Sequence, residues 1–296
     1  MNTKALSWTI LIALSLIWGS SFILMKQGMK AFSSDEVAAL RITIASAFML
    51  PFLIKYYKID LKRNLKGLLL MGVFGNLVPA FLFTKAETEI SSSLTGMLNA
   101  LTPLFTIIVG MLAFRQAASR NQVAGVLVGF VGAVVLVMYG GDESEQTKNI
   151  LYSLLVALAT LCYAISVNGI KAFLGHLNSL QATVWSFTLI GPVAAIYLFG
   201  FTDVVKHARE NPGAMASLGY VSILAIVGSA ISVVIYNTLI KMSGTVFASS
   251  CTYLIPVVAI GWGVYDGESV HIMQVAAIGV IIAGIRLINL KKKETA

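Results

Sequence analysis

The stretch Ser91–Thr106, SSSLTGMLNALTPLFT, sets polar residues at a helical spacing inside an apolar segment. Five polar side chains follow one another at steps of three, four, three and four: Ser92, Thr95, Asn99, Thr102 and Thr106. This spacing places them on one face of a helix. Pro103 lacks a backbone donor, so we expect the helix to bend near it.

A second stretch, TVFASSCTYLIPVVA at Thr245–Ala259, repeats this pattern. Thr245, Ser249 and Thr252 share one helical face, and Pro256 occupies the place that Pro103 has in the first stretch. Both stretches are apolar helices that carry a polar stripe and are interrupted by proline. This repetition indicates a path or a pocket between two related halves. The two stretches therefore predict where a binding site lies.

The composition is that of an integral membrane protein. Of the 296 residues, 57% are hydrophobic and 11% are charged, whereas a soluble domain carries about 25% charged residues. The net charge of +8 does not indicate a nucleic-acid partner, because Lys and Arg cluster at the ends of the apolar segments. Cys162 and Cys251 lie inside apolar segments and lack further ligands nearby, so we expect neither a metal site nor a cofactor.

Residues 1–27 raise the question of a cleaved signal peptide. The apolar run that follows Lys4 extends to about Met25, which is longer than the apolar core of a signal peptide, and no convincing cleavage site follows it. We therefore interpret this run as the first membrane helix.

About 20 apolar residues span a bilayer, and the sequence predicts ten such segments in an all-α fold. They are 6–26, 36–56, 66–84, 91–114, 121–139, 150–171, 179–200, 214–240, 245–265 and 270–290. The connections are too short for a soluble domain, so the function must lie within the membrane. Lys and Arg concentrate in alternate connections, above all at 55–66, which predicts that both termini are cytoplasmic. The predicted location is a plasma or bacterial inner membrane, in multi-pass topology.

The two halves of the chain, 1–141 and 142–296, align weakly with each other. Aligning Trp18 with Tyr163 also aligns Ser21 with Ser166, and aligning the two stripe prolines brings Gly110 onto Gly263. Each half then holds five helices. Because five is odd, the second half enters the membrane upside down, an arrangement typical of secondary transporters with a site near the midplane.

The order of several short motifs is similar to that of a known family. The motifs are Trp18-Gly19-Ser20-Ser21-Phe22, Arg41, Leu101-Thr102-Pro103, Gly125 with Gly132, Leu254-Ile255-Pro256 and Asp266-Gly267-Glu268. Over essentially its whole length the chain resembles the drug/metabolite transporter superfamily, specifically its EamA-like ten-helix exporters. The resemblance implies a transporter that exports a small metabolite, and not an enzyme.

Eleven residues are predicted to bind substrate, because a polar group facing lipid would cost several kcal/mol. They are Asn99, Thr95, Thr102, Asn76, Trp18, Ser21, Tyr163, Ser166, Tyr236, Ser249 and Thr252. Asn99 is the leading candidate, since its amide offers two donors and an acceptor. For a single Ser or Thr the alternative is a bond within its own helix or to a neighbouring helix. For Trp18 and Tyr163 the alternatives are simple packing or an interfacial belt.

Five further residues are predicted to have gating or structural roles: Pro79, Pro103, Pro256, Arg41 and Glu268. For Arg41, inside the second segment, a structural salt bridge or a carbonyl clamp is favoured over substrate contact. Glu268 lies at the end of the ninth segment, where it is expected to act as a cap or a gate, because carboxylates favour the N-terminus of the following helix. Glu87 lies in a short charged connection, for which a solvated position is expected.

Charged groups are nearly absent from the predicted membrane segments. No Asp or Glu lies mid-segment, so a buried carboxylate relay has no obvious position. A pair of cations for a phosphate and a nucleotide-binding loop are also lacking. The sequence thus predicts a weakly charged cavity for a neutral or zwitterionic molecule, such as an amino acid.

The predicted function is secondary transport of that molecule by alternating access, with a small-molecule substrate and the lipid bilayer as partners. One alternative is a sugar-phosphate or nucleotide-sugar exchanger. Another is a non-transporting scaffold, which would not need polar stripes converging from both halves, or an intramembrane enzyme. The enzyme is disfavoured because His176, His207 and His271 fall in or beside connections. A monomer and a homodimer remain equally open.

Overall fold

The computed structural model describes residues 3–116, 119–139 and 146–289, and these residues form helices and no strands. We number ten helices. The first seven are α1 (Thr3–Gly19 continued by Ser21–Gly28), α2 (Ser34–Tyr56), α3 (Leu61–Ala86), α4 (Ser92–Phe114), α5 (Arg120–Met138), α6 (Gln146–Phe173) and α7 (Ser179–Phe201). A short helix, Val204–Glu210, follows α7. The predicted boundary between the halves, at residues 141 and 142, lies outside the described residues.

The last three helices follow a kink. The helical segment Ser232–Ser249 bends at Gly244, whose φ is 83°, so we divide it there. Helix α8 runs from Ala214 to this kink, and α9 runs from the kink to Tyr265. Helix α10 is Ile272–Asn289.

Seven helices in the described ranges are long and apolar enough to cross a membrane, namely α1 to α4 and α6 to α8. The remaining three predicted crossings contain shorter apolar helices: Arg120–Leu136, Ile255–Tyr265 and Ile272–Gly284. The described part of the chain is thus all helical and has the length and composition of a multi-pass membrane protein, and the full set of ten crossings stays a prediction.

Helices α4 and α9 are interrupted in the same way. In α4 a 3₁₀ turn, Asn99–Leu101, precedes the segment Thr102–Phe114, and in α9 the 3₁₀ turn Ser250–Tyr253 precedes Ile255–Tyr265. The segments that follow the two turns each have proline in their first turn. An N–H at that position would have no partner within the helix, so the absence of one in proline removes no hydrogen bond. The predicted irregularity near the two prolines is therefore present, and it takes the form of a change of helix type.

Helices α3 and α8 each contain an eight-residue π-helical segment, Leu70–Leu77 and Leu224–Ile231. Polar side chains accompany both. Asn76 Nδ2 donates to Met71 O at 3.1 Å, and Ser229 Oγ donates to Leu224 O at 3.3 Å. Such wide turns are rare in helices and occur frequently at functional sites.

The packing of the helices repeats with a shift of five. Three pairs of equivalent helices contact each other: α2 packs on α7, α5 on α10, and α4 on α9. Helix α1 packs on α8 and α9, and its equivalent α6 packs on α3 and α4. The α5–α10 contact depends on glycine, because a Cβ on Gly284 would lie 2.6 Å from Gly129 N. This pairing leaves a central space between the two sets of helices.

Candidate functional site

The central space is a cavity bounded by α1, α2, α3, α4, α6, α8 and α9. It contains about 830 Å³ outside protein atoms, including the part that opens to solvent. Nine of the eleven residues predicted to bind substrate line it: Trp18, Ser21, Asn76, Asn99, Thr102, Tyr163, Ser166, Tyr236 and Thr252. The structure therefore brings together side chains from both halves of the chain.

Two of the predicted residues lie elsewhere. Thr95 and Ser249 are buried but do not border the cavity. Thr95 Oγ1 donates to Ser91 O at 2.9 Å, which is the within-helix alternative weighed for Ser and Thr. Of the polar stripe of α4, only Asn99 and Thr102 border the cavity, and Thr106 lines a second one.

Three amides give the cavity wall its hydrogen-bonding character. Asn99 accepts at Oδ1 from Thr102 Oγ1 at 3.4 Å, and its amide nitrogen donates to none of the described residues. Asn237, which the stripe argument left out of the predicted set, donates to Thr183 Oγ1 at 3.1 Å, while its buried Oδ1 accepts from none of the described residues. Donors from Asn99 and acceptors from Asn76 and Asn237 are therefore available to a ligand.

Aromatic rings supply the apolar part of the wall. Trp18 meets Tyr236 edge-to-face with centroids 5.0 Å apart, and Tyr163 stacks on Phe83 at 5.8 Å. The Trp18 indole N–H donates to Gly228 O at 3.0 Å, which fixes the ring orientation. These rings both pack on neighbours and line the cavity, so packing and a position in the binding site are compatible for Trp18 and Tyr163.

Arg41 borders the cavity as its one cationic lining residue among the described residues. Its Nε donates to Ser229 Oγ at 2.7 Å, and it forms no ion pair with any described residue. The nearby Glu36 is occupied by His207, at 2.8 Å between Nδ1 and Oε2, and by its own helix cap. The guanidinium therefore has donors to spare for an anionic group of a ligand.

Glu268 joins three parts of the chain at one end of the bundle, in a cluster that we call the Glu268 clamp. Its members are Lys26 of α1, Ser92 and Ser93 at the start of α4, and Asp266 and Glu268 after α9. Lys26 Nζ lies 2.7 Å from Asp266 Oδ2 and 2.8 Å from Glu268 Oε1. The backbone N–H and hydroxyl of Ser92 donate to Oε1, and those of Ser93 donate to Oε2, all at 2.7–3.1 Å.

The clamp corrects the expectation that Glu268 caps the following helix. It caps the N-terminus of α4 instead, because Gly267, at φ +84°, turns the chain back towards that helix. Burial alone would raise the pKa of Glu268, but hydrogen bonds from Lys26, Ser93 and Ser92 outweigh it and lower the pKa to about 2. The carboxylate is therefore ionised in the clamp.

The opposite end of the bundle has related parts in a different arrangement. Arg115 follows α4 with a φ of 52°, and Gly267 likewise has a positive φ after α9. The backbone N–H of Gln116 donates to Gly110 O. In the same way, the backbone N–H of Glu268 donates to Gly263 O. Gln116 Nε2 donates to Asn168 Oδ1 at 3.1 Å. Gln116 and Thr245, at the start of α9, both line a second cavity of about 320 Å³. The counterparts of Glu268 and Ser92 thus border open space.

Glu87 is the functional candidate that the sequence argument missed. It was expected to be solvated, but both of its carboxylate oxygens are buried and have no hydrogen-bond partner among the described residues. Its position directly after α3, a helix that reaches the cavity, is the one sequence signal that could have singled it out.

The comparison with protein families decides what kind of molecule this is. The model of the EamA-like transporter family matches residues 6–138 and again 150–290. The chain belongs to the EamA-like transporter family. The family resemblance read from the sequence motifs is therefore confirmed.

Relatives agree with this assignment, and a solved structure agrees with the fold. An uncharacterized transporter of Archaeoglobus fulgidus is 25% identical over 96% of this chain and 99% of its own length. The uncharacterized inner membrane transporter YedA of Escherichia coli is 27% identical over 95% of this chain and 90% of its own. A crystal structure at 16% identity covers 96% of both chains with a TM-score of 0.64, which supports the fold. The EamA-family protein is a membrane transporter.

Proposed function

We propose that this EamA-family protein is a secondary transporter that moves a small neutral or zwitterionic metabolite by alternating access. The observation that carries the proposal is the central cavity, whose polar and aromatic wall comes from both halves of the chain. A polar wall within an apolar bundle is costly unless it serves a hydrated space or a ligand. The proposed direction is export, as the family resemblance implies.

The proposed architecture is ten membrane helices in two inverted five-helix repeats, with both termini in the cytoplasm. Four observations support it. The helix contacts repeat with a shift of five, π segments recur in α3 and α8, and the family model matches the chain twice. Breaks that are followed by proline also recur, in α4 and α9. Repeats of this kind place a substrate site near the midplane.

The difference between the two ends of the bundle supports alternating access. The Glu268 clamp joins α1, α4 and the end of α9, whereas the corresponding residues Gln116 and Thr245 border a second cavity. In inverted repeats, equivalent parts alternate between closed and open arrangements as one bundle rocks against the other. We therefore assign the structure to a state that is closed at the Glu268 end.

The wall chemistry favours a zwitterion with a carboxylate, such as an amino acid. Arg41 offers a guanidinium without an ion pair in the described ranges, and Asn99, Asn76 and Asn237 offer amide groups. A carboxylate pairs with the planar guanidinium through two parallel bonds. The amides and aromatic rings suit the remainder of such a molecule.

The test is flux through purified protein in proteoliposomes against a panel of labelled metabolites, with Asn99→Leu as the variant. We expect flux of at least one small zwitterion, and its loss in Asn99→Leu with normal insertion. Thr95→Val is the matched control, because Thr95 lies one turn earlier in α4 and outside the cavity; it should retain flux. Normal flux by Asn99→Leu would remove Asn99 from the site.

The phosphate alternative is kept because Arg41 is a cation in the cavity wall. A phosphate group is usually met by more than one cation, and Arg41 is the one cationic lining residue among the described residues. Counterflow in liposomes loaded with sugar phosphates would favour this alternative. A non-transporting scaffold predicts no flux for any compound in either assay.

A further inference from the structure

Glu87 holds a carboxyl group in an environment that offers it no hydrogen bond. It is the capping residue at the C-terminus of the helical segment Val78–Ala86. Both of its oxygens are shielded from solvent, and no described residue donates to either of them. An ionised carboxylate in such a place is strongly disfavoured, whereas a protonated carboxyl is tolerated far better.

The charges around Glu87 also favour its protonated form. The carbonyl end of its own helix is negative, which disfavours an anion there. Lys26 of α1, Arg41 of α2 and Glu268 after α9 are its charged neighbours from other elements. Both cations already bind other groups, because Lys26 lies in the Glu268 clamp and Arg41 donates to Ser229. Burial first, and then the nearby Glu268 carboxylate, raise the pKa of Glu87 well above its ordinary value.

We propose that Glu87 is a proton-binding site of the gate, so that closing the Glu268 end transfers one proton from water to this carboxyl. Closure removes the water that would solvate the carboxylate and brings Glu268 beside it. Opening rehydrates the group, and the proton leaves to the water on that side. The step is a simple protonation, in which the carboxylate and a proton give a neutral carboxylic acid.

The sign of the pH effect follows from linkage. Glu87 binds its proton more tightly in the closed state than in the hydrated open state, so low pH favours closure and rising pH favours opening. Glu268 cannot produce this effect, because its pKa in the clamp is lowered from 4.5 to about 2. The contribution of Glu268 to closure is present above about pH 4.5 and is lost only as the pH falls towards 2.

The link to substrate movement rests on the proposed function. If the cavity carries a substrate, a proton taken up at each closure and released at each opening makes the rate of the transport cycle depend on the proton concentration on the Glu268 side. The binding of the proton itself requires only the closed clamp and the buried carboxyl. The two ideas can therefore fail separately.

The direct test is infrared spectroscopy of the purified protein, which detects the carbonyl stretch of a protonated carboxylic acid without any need for flux. We expect a signal near neutral pH that disappears as the pH rises, is absent in Glu87→Gln and is retained in Glu89→Gln. Glu89 is the matched control, since it lies in the same connection and is exposed. A spectrum unchanged by Glu87→Gln would overturn the proton site and leave the proposed transport intact.

The second test measures the gate by thiol labelling from the Glu268 side, in a background with Cys162→Ala and Cys251→Ala. The buried reporter is Ile90→Cys, and the exposed reference is Thr88→Cys, which corrects for the pH dependence of the reagent. We expect the labelling rate of Ile90→Cys, divided by that of Thr88→Cys, to rise with pH. In Glu87→Gln, which imitates the protonated group, this ratio should be low and should not change with pH. A ratio that rises equally in both proteins would overturn the link between Glu87 and closure.

Discussion

Lys26 and Glu268 are 242 positions apart in the chain, yet Lys26 Nζ and Glu268 Oε1 lie 2.8 Å apart. This contact joins α1 to the connection after α9, and the same carboxylate holds the first turn of α4. Three helices that border the central cavity therefore meet at one anion. In the proposed transport cycle, displacement of this anion would open that end of the bundle.

Glu268→Gln is expected to favour the open state at the Glu268 end. The amide keeps the shape of the side chain but loses the charge that Lys26 and the two serines bind. Hydrogen bonds to a charged group are worth about 1.5–3 kcal/mol, so the equilibrium should shift by roughly tenfold or more.

The measurement is labelling of Ile90→Cys relative to Thr88→Cys at constant pH. Labelling should increase in Glu268→Gln, whereas Glu89→Gln, which alters an exposed carboxylate nearby, should leave it unchanged. Equal labelling in all three proteins would show that the clamp does not control this end.

The sequence predicted much of the site because helical spacing is a local property. Asn99, Thr102 and Thr252 reach the cavity as their spacing predicted. Thr95 does not, since the 3₁₀ turn Asn99–Leu101 rotates the chain by about 120° per residue instead of about 100°, and the stripe shifts to another face. Helix type within a proline-broken segment depends on the neighbouring helices, which spacing alone does not specify.

The charged residues were predicted less well, for a related reason. Glu268 had two helix N-termini within reach of its connection, and only the folded chain decides between them. Glu87 follows an ordinary apolar segment, and the burial of its carboxylate oxygens, with Lys26, Arg41 and Glu268 as charged neighbours, arises only in the folded chain. Long-range packing sets the environment of both carboxyls, so their roles could not be read from nearby residues.

Gln116→Glu is expected to favour closure of the end opposite to the clamp. Gln116 occupies the place that Glu268 has at the other end, and a carboxylate there could bind the first turn of α9 at Thr245. The second cavity should then close more often. Labelling of a cysteine at Met111, a residue that lines this cavity, should slow in Gln116→Glu, while Gln116→Met should not slow it. Faster labelling in Gln116→Glu would contradict the proposed equivalence.

Arg41→Lys is expected to weaken binding of a substrate carboxylate while retaining the positive charge. A lysine cannot form two parallel bonds, so the KM for a carboxylate substrate should rise by about tenfold. The KM for the corresponding neutral amide should change little. These kinetics in proteoliposomes, together with a check of folding by size-exclusion chromatography, test the assignment. An equal rise for both compounds would indicate a structural role for Arg41.

Gly284→Val is expected to destabilise the contact between α5 and α10. A Cβ at this position would lie 2.6 Å from Gly125 O and Gly129 N, which are backbone atoms that cannot rotate away. Forced overpacking costs about 1–3 kcal/mol. Gly279→Val is the control, because a Cβ there meets no atom within 4 Å. A lower midpoint of thermal unfolding is expected for Gly284→Val alone, and equal midpoints would show that the contact tolerates a side chain.

The most direct test of the cavity as a two-sided path is labelling of Val233→Cys, a position on α8 in its wall, in the background without the native cysteines. Membrane-impermeant thiol reagents are applied to one side of oriented vesicles at a time. We predict reaction from both sides, with Glu268→Gln raising the rate from the Glu268 side and lowering it from the other. Reaction from one side only, at a rate that Glu268→Gln leaves unchanged, would contradict alternating access through this cavity.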